Sequence, residues 1–187
     1  MTNREHLKNL LATRSVRLGD FTLASGTKSS YYIDARLTTM SAEGQRLIGI
    51  VGYDAIRASK LNPTHVGGLT MGADPVAYAI AHTSALGGHP IDGFAVRKQA
   101  KDHGTGQQIE GGLPVDGRAL MVEDTMTTGR STLKAIEAVR SHGSAIVGVL
   151  TVVNRSETAE KFYQDMGLRL ISLFTGEELL AVAKAES

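Results

Sequence analysis

The chain has no cysteine, which excludes disulfides, thiolate metal sites and cysteine nucleophiles together. It has no excess of charge of either sign: a net charge of +1 leaves no general basic field for nucleic acid, so any anion site must come from local placement. It has no long apolar run. The longest, Ala145 to Val153, falls far short of a membrane span. Met1 to Leu18 scatters Arg4, Glu5, Lys8, Arg14 and Arg17 among its leucines, which fits neither a signal peptide nor a membrane anchor. These absences point to a cytoplasmic protein with no membrane partner. Several site signatures are missing as well. No Gly-Lys-Ser/Thr phosphate loop occurs, and no G-x-S-x-G elbow. Gly104 and Gly106 begin a dinucleotide fingerprint, but Ile109 stands where its third glycine belongs. His6, His65, His82, His89 and His142 lack ligand-like spacing, so zinc is not expected.

What is present describes a globular domain. With 187 residues, 42% hydrophobic and 21% charged, the chain can bury a full core as a single domain over residues 1–187. Helical spacing marks residues 4–13. Phe21–Leu23 and Tyr31–Asp34 read as short strands joined by a polar turn. Ser41 caps a helix running to about Ser59. Strand and helix then alternate through 64–69, 75–84, 91–96, 119–122, 131–141, 145–154, 157–166, 169–174 and 177–184. Continuous apolar strands between amphipathic helices predict an α/β fold, a mostly parallel central sheet covered on both faces. The helix and hairpin of residues 1–36 precede it as a small hood over its edge.

The most informative segment is Ala119 to Thr132, A-L-M-V-E-D-T-M-T-T-G-R-S-T. A buried strand ends in two adjacent carboxylates, Glu123 and Asp124. A short loop of threonine and glycine, Thr125 to Gly129, then feeds a helix. In open α/β sheets, ligands bind outside the carboxyl ends of strands. The loop offers unpaired N–H groups and the positive end of a helix dipole to a phosphate, while the acids can accept hydrogen bonds from sugar hydroxyls. An ordinary strand–loop–helix turn explains the apolar run and the glycine, but not the acid pair with three threonines. The segment describes a site for a ribose 5-phosphate. Met121 and Met126 flank it as packing residues.

A second segment breaks the alternation. Arg97 to Gly112, R-K-Q-A-K-D-H-G-T-G-Q-Q-I-E-G-G, has no hydrophobic period and places three cations and a histidine in seven residues. Long polar loops inside compact domains are functional or disordered. Taken alone, this one is equally a solvated surface loop.

Residues 119–132 resemble the phosphoribosyl-pyrophosphate (PRPP) motif of the type I phosphoribosyltransferases. The resemblance implies that fold, with PRPP contacts at Glu123, Asp124, Thr125, Met126, Thr127, Thr128, Gly129, Arg130 and Ser131. Arg97-Lys98-Gln99-Ala100-Lys101-Asp102-His103-Gly104 closely resembles the catalytic loop of the orotate phosphoribosyltransferase family. Phe21 to Gly26 with Tyr31 to Asp34 is similar to that family's hood, which contributes to its orotate pocket. The likeness spans about residues 15–175. It implies PRPP and pyrophosphate contacts at Arg97, Lys98, Lys101 and His103, with the catalytic residues Lys101 and His103 nearest the chemistry. It implies orotate contacts at Thr127 and Arg155, a guanidinium suiting a planar carboxylate. It further implies Mg²⁺ carried by substrate oxygens and water without a protein cage. A homodimer is implied too, in which loop 97–112 completes the neighbour's site.

Two positions depart from that pattern. Ala24 stands where the family commonly has a lysine touching orotate. Thr70 and Met71 replace a tyrosine–lysine pair before Gly72. Lys28 reads as a solvated turn residue and not as a substitute. The Gly67–Gly72 turn still offers backbone N–H groups. Two other functions stay open: a phosphoribosyltransferase for uracil, adenine or xanthine, kept alive by Ala24, and a PRPP-sensing regulator, disfavoured by the charge balance.

Overall fold

The computed structural model describes residues 1–22, 28–99 and 107–185. The chain opens with α1 (Asn3–Ser15). Its first turn is closed reciprocally: the Glu5 amide donates to Thr2 Oγ1 at 3.2 Å and the Thr2 amide donates to the Glu5 carboxylate at 2.7 Å. An antiparallel ribbon follows, β1 (Val16–Thr22) and β2 (Lys28–Ile33). A short α2 (Arg36–Thr39), absent from the sequence reading, leads into α3 (Ala42–Ser59). Ser41 caps α3 as expected, its Oγ accepting from the Gly44 amide at 3.1 Å.

The remaining elements are β3 (His65–Leu69), α4 (Ala73–Leu86), β4 (Asp92–Val96), β5 (Ile109–Glu110), β6 (Arg118–Met126) and α5 (Arg130–His142). The chain then continues as β7 (Ala145–Asn154), α6 (Glu157–Asp165), β8 (Leu170–Thr175) and α7 (Gly176–Ala185). The six-stranded sheet has the order β5-β4-β3-β6-β7-β8. All its pairings are parallel except β4 with β5. The mostly parallel sheet is therefore as expected, with an antiparallel edge.

Alternation along β6 explains the two layers of core. Leu120 and Val122 point to one face, with Val66, Leu150 and Val152, under Leu47, Ile48 and Val51 of α3 and Ile80 of α4. Ala119 and Met121 point to the other, with Phe94 and Val149, under Ile136 and Val139 of α5 and Tyr163 of α6. Covered on both faces, these strands have no polar side to show in sequence. The N-terminal segment joins the first layer: Leu7, Leu11, Val16 and Ile33 share a cluster with Leu173 and Leu179. The Arg4 guanidinium donates to the Leu173 carbonyl at 2.8 Å and lies 4.7 Å from the Phe174 ring. The hood is thus anchored on α3 and α7.

Two sequence boundaries are corrected. The strand read as ending at Val122 runs to Met126, because Thr125 and Met126 keep pairing with Val153 and Asn154 of β7. The polar segment 97–112 contains β5, whose two residues pair with Ala95 and Val96 at the open sheet edge. Among the described residues, no helix is long and apolar enough to cross a membrane.

Candidate active site

Strand order decides where the site falls. From β3 the chain moves to β4 on one side; from β6 it moves to β7 and β8 on the other. The switch point lies between β3 and β6, and a crevice opens there at their carboxyl ends. The turn after β3 (Thr70–Gly72) forms one wall and the last residues of β6 the other.

Glu123 and Asp124 stand in that crevice. Their side chains converge on the opposite wall: a Cβ placed on Gly72 would lie 2.6 Å from Glu123 Oε1 and 3.0 Å from Asp124 Oδ1. A side chain at this position would have to push the carboxylates aside. Glu123 is 7% exposed. Its Oε2 accepts from the buried Thr132 hydroxyl at 3.3 Å, and Asp124 Oδ1 accepts from the Thr125 amide at 2.6 Å. Burial first, and then the Asp124 charge, push the Glu123 carboxyl well above the ordinary carboxylate range. Burial also raises Asp124, against the pull of the Thr125 amide and the Arg36 charge. Two crowded carboxyls that resist double ionisation can both donate to and accept from sugar hydroxyls.

Beyond the acids the chain turns sharply into α5. Gly129 caps that helix at φ 76°, without a side-chain bond to the first turn. The Arg130 amide makes a long 3.5 Å bond to Thr128 Oγ1. The start of α5 is thus left open to an anion. Met126 is buried among Tyr163 and Ala135, so only its backbone faces the crevice. Thr127 and Thr128 are exposed.

Arg155 follows β7 and is brought beside this loop. Its amide donates to the Met126 carbonyl at 2.7 Å. Its guanidinium carbon lies 5.6 Å from the centre of the Tyr31 ring of β2, and its buried Nε has no partner among the described residues. Hood, loop and arginine meet there. Arg97 and Lys98 sit at the same edge after β4, two strands and so about 10 Å from β6. Arg97 Nε donates to Glu110 Oε1 at 2.8 Å, and its backbone exchanges bonds with Gln108 at 2.9 and 3.0 Å, closing the base of the cationic segment. Lys101, His103 and Ala24 lie outside the described residues. Lys28 begins β2, exposed, and donates to Thr22 Oγ1 at 3.1 Å.

Three groups of the site, Tyr163, Arg36 and Asp74, escaped the sequence reading. Tyr163 of α6 donates from its buried hydroxyl to the Gly129 carbonyl at 2.9 Å. Burial pushes that phenol up to about 12. Arg36 forms a two-pronged pair with Asp34, at 2.9 and 3.2 Å, and its charge reaches Asp124. The Thr70 hydroxyl bonds to Asp74, whose other oxygen is buried without a partner among the described residues. Only the pair Asp34–Arg36, two residues apart at a strand end, carried a sequence signal.

Switch-point crevice, acid pair and uncapped helix start together define a class, the transferases that handle a phosphorylated ribose. The phosphoribosyl transferase domain model matches residues 45–173. An orotate phosphoribosyltransferase from Aquifex aeolicus is 44% identical over 183 residues, covering 96% of this chain and 99% of that protein. One from Rhodopseudomonas palustris is 43% identical over 184 residues, covering 96% and 97%. The crystal structure of Mycobacterium tuberculosis orotate phosphoribosyltransferase with Fe(III) dicitrate superposes with a TM-score of 0.84 at 42% identity, covering 95% of this chain and 99% of that one. The same enzyme solved with PRPP gives 0.80 at 39% identity, with the same coverage. The chain belongs to the orotate phosphoribosyltransferase family.

Proposed function

We propose that PRPP lies between the acid pair and residues 125–131 while the chain transfers its 5-phosphoribosyl group to orotate, giving orotidine 5′-monophosphate and pyrophosphate. Glu123 and Asp124 take the ribose hydroxyls. The amides of Thr125, Met126, Thr127, Thr128, Gly129, Arg130 and Ser131, at the start of α5, take the 5-phosphate. Arg155 faces the orotate carboxylate, with Thr127 beside it, and Tyr31 holds the guanidinium in place. The observation that carries this reading is Arg155 set between the hood and the loop, its Nε buried and unpaired among the described residues. A planar acid satisfies it.

Departure of pyrophosphate from C1′ leaves an oxocarbenium-like sugar. The protein must therefore stabilise a growing anion and keep water out. Arg97, Lys98, Lys101 and His103 supply the positive charge, Lys101 and His103 nearest the breaking bond. The site's hard oxygen donors suit Mg²⁺, an ion that would be carried mainly by oxygens of PRPP and water. When bound, it offsets pyrophosphate charge. The protein works in the cytoplasm as a homodimer whose 97–112 segments complete each other's sites.

Pyrophosphate release tests the assignment. The protein is mixed with PRPP, Mg²⁺ and one base at a time. Turnover with orotate alone is expected. Turnover only with uracil, adenine or xanthine would reassign the base, and none with any base would leave PRPP sensing.

A further inference from the structure

At the other end of the sheet lies a cavity of about 320 Å³. It opens between the turn leaving α3 and the turn joining α4 to β4. Because β3 and β4 run parallel to β6, the turns before His65 and Asp92 mark the amino ends of strands. A molecule held there cannot touch the acid pair.

The polar lining is one-sided in its chemistry. Arg57, Asn62 and His89 present N–H groups, and among the described residues no carboxylate lines the cavity. Tyr53 is 8% exposed, and its hydroxyl is wholly shielded without a hydrogen-bond partner among the described residues. That hydroxyl lies under the end of α4, where a Cβ on Gly87 would stand 3.1 Å from it. Arg57, exposed in the last turn of α3, enters no ion pair among the described residues; the nearby Asp54 lines a different groove. The rest of the wall is apolar, with Pro63, Pro90 and Ile91 among its residues.

Both walls are fixed in advance. Arg118 donates from Nε to the Asn62 carbonyl at 3.0 Å and from Nη2 to the Leu61 carbonyl at 2.7 Å. Asn62 adopts φ 48°, a left-handed conformation that asparagine tolerates better than most residues. Across the cavity, the Ile91 amide donates to Ser84 Oγ at 2.8 Å and the His89 amide to the Ser84 carbonyl at 3.3 Å. Convergent donors over an apolar floor, held by a rigid frame, are the makings of a ligand site.

We infer that this cavity is a second ligand site, taking a small aromatic oxyanion whose head group meets Arg57 and His89. Its ring rests on Pro63, Pro90 and Ile91. Phenyl phosphate and benzoate probe the two head-group chemistries. Each is titrated into the isotope-labelled enzyme, its catalytic site filled with saturating orotidine 5′-monophosphate, while backbone amide resonances are followed. Saturable shifts at Asn62, Gly88, His89 and Ile91 with either compound are expected. Arg57→Ala should weaken the binding at least tenfold and leave the rate of orotidine 5′-monophosphate synthesis unchanged. Absence of saturable shifts there with both compounds would overturn the proposal, as would unaltered affinity in Arg57→Ala.

Discussion

Tyr163→Phe removes one hydroxyl and nothing else from the support beneath the phosphate loop. That hydroxyl donates to the Gly129 carbonyl at 2.9 Å from a fully buried ring. Gly129 is itself buried, at φ 76°, and a Cβ there would stand 2.8 Å from the Tyr163 ring. The carbonyl therefore has no easy route to water once its donor is gone. An orphaned buried acceptor costs about 1–3 kcal/mol. For a chain of this length, each kcal/mol moves Tm by roughly 2–4 °C, so a fall of about 2–12 °C is expected by calorimetry. The same bond holds the residue that caps α5. If about 1 kcal/mol of the loss falls on phosphate binding, the KM for PRPP rises by roughly fivefold. The KM for orotate should stay within about twofold, because Arg155 is tied to Met126 and not to Gly129. A lower Tm with unchanged KM for PRPP would refute the link from Tyr163 to the phosphate cradle. An unchanged Tm would refute the bond itself.

Three further outcomes are expected. Asp124→Asn weakens PRPP binding by about 1–3 kcal/mol in titration calorimetry, the loss of a charged hydrogen bond; unaltered affinity contradicts its contact with the ribose. Lys101→Ala lowers kcat far more than it weakens PRPP binding, because its contact strengthens as charge develops on pyrophosphate, and a full kcat in the variant contradicts the loop's role. Glu123→Gln stabilises the fold, increasingly so as pH rises. Burial raises the folded-state pKa of Glu123 above its ordinary value of 4.5. Below that value both states hold the proton and nothing is lost; as pH climbs, the unfolded chain gives it up first and the fold loses stability. The variant's gain in unfolding free energy should be small at pH 4.5 and reach roughly 1–3 kcal/mol by pH 7.5; a gain that shrinks with pH would show the sign to be wrong.

How far the sequence discloses these parts depends on the range of the forces behind them. β7 is legible to the residue, because a continuous apolar run between Ser144 and Arg155 is a local property. The end of β6 is not. Glu123 to Thr125 are polar, and their backbone stays in the ladder only because Thr151 and Val153 of β7 lie alongside. β5 is invisible in a polar stretch, since its two residues owe their conformation to the edge of β4. The loop proposed to hold PRPP reads directly as a strand, an acid pair and a turn into a helix, because all three lie in one segment. Its supports do not: Tyr163 is 34 residues from Gly129, and Tyr31 meets Arg155 only across the folded hood. Packing decides such pairs, and no local pattern encodes them. Arg36 illustrates the middle ground, with a visible partner in Asp34 but an influence on Asp124 that only the fold creates.

The most direct test is a crystal structure of the protein with PRPP and Mg²⁺. The ribose hydroxyls should lie within hydrogen-bond distance of Glu123 and Asp124, with the 5-phosphate on the amides that open α5. PRPP bound at another place, with the crevice between β3 and β6 left free, would contradict the account at its root.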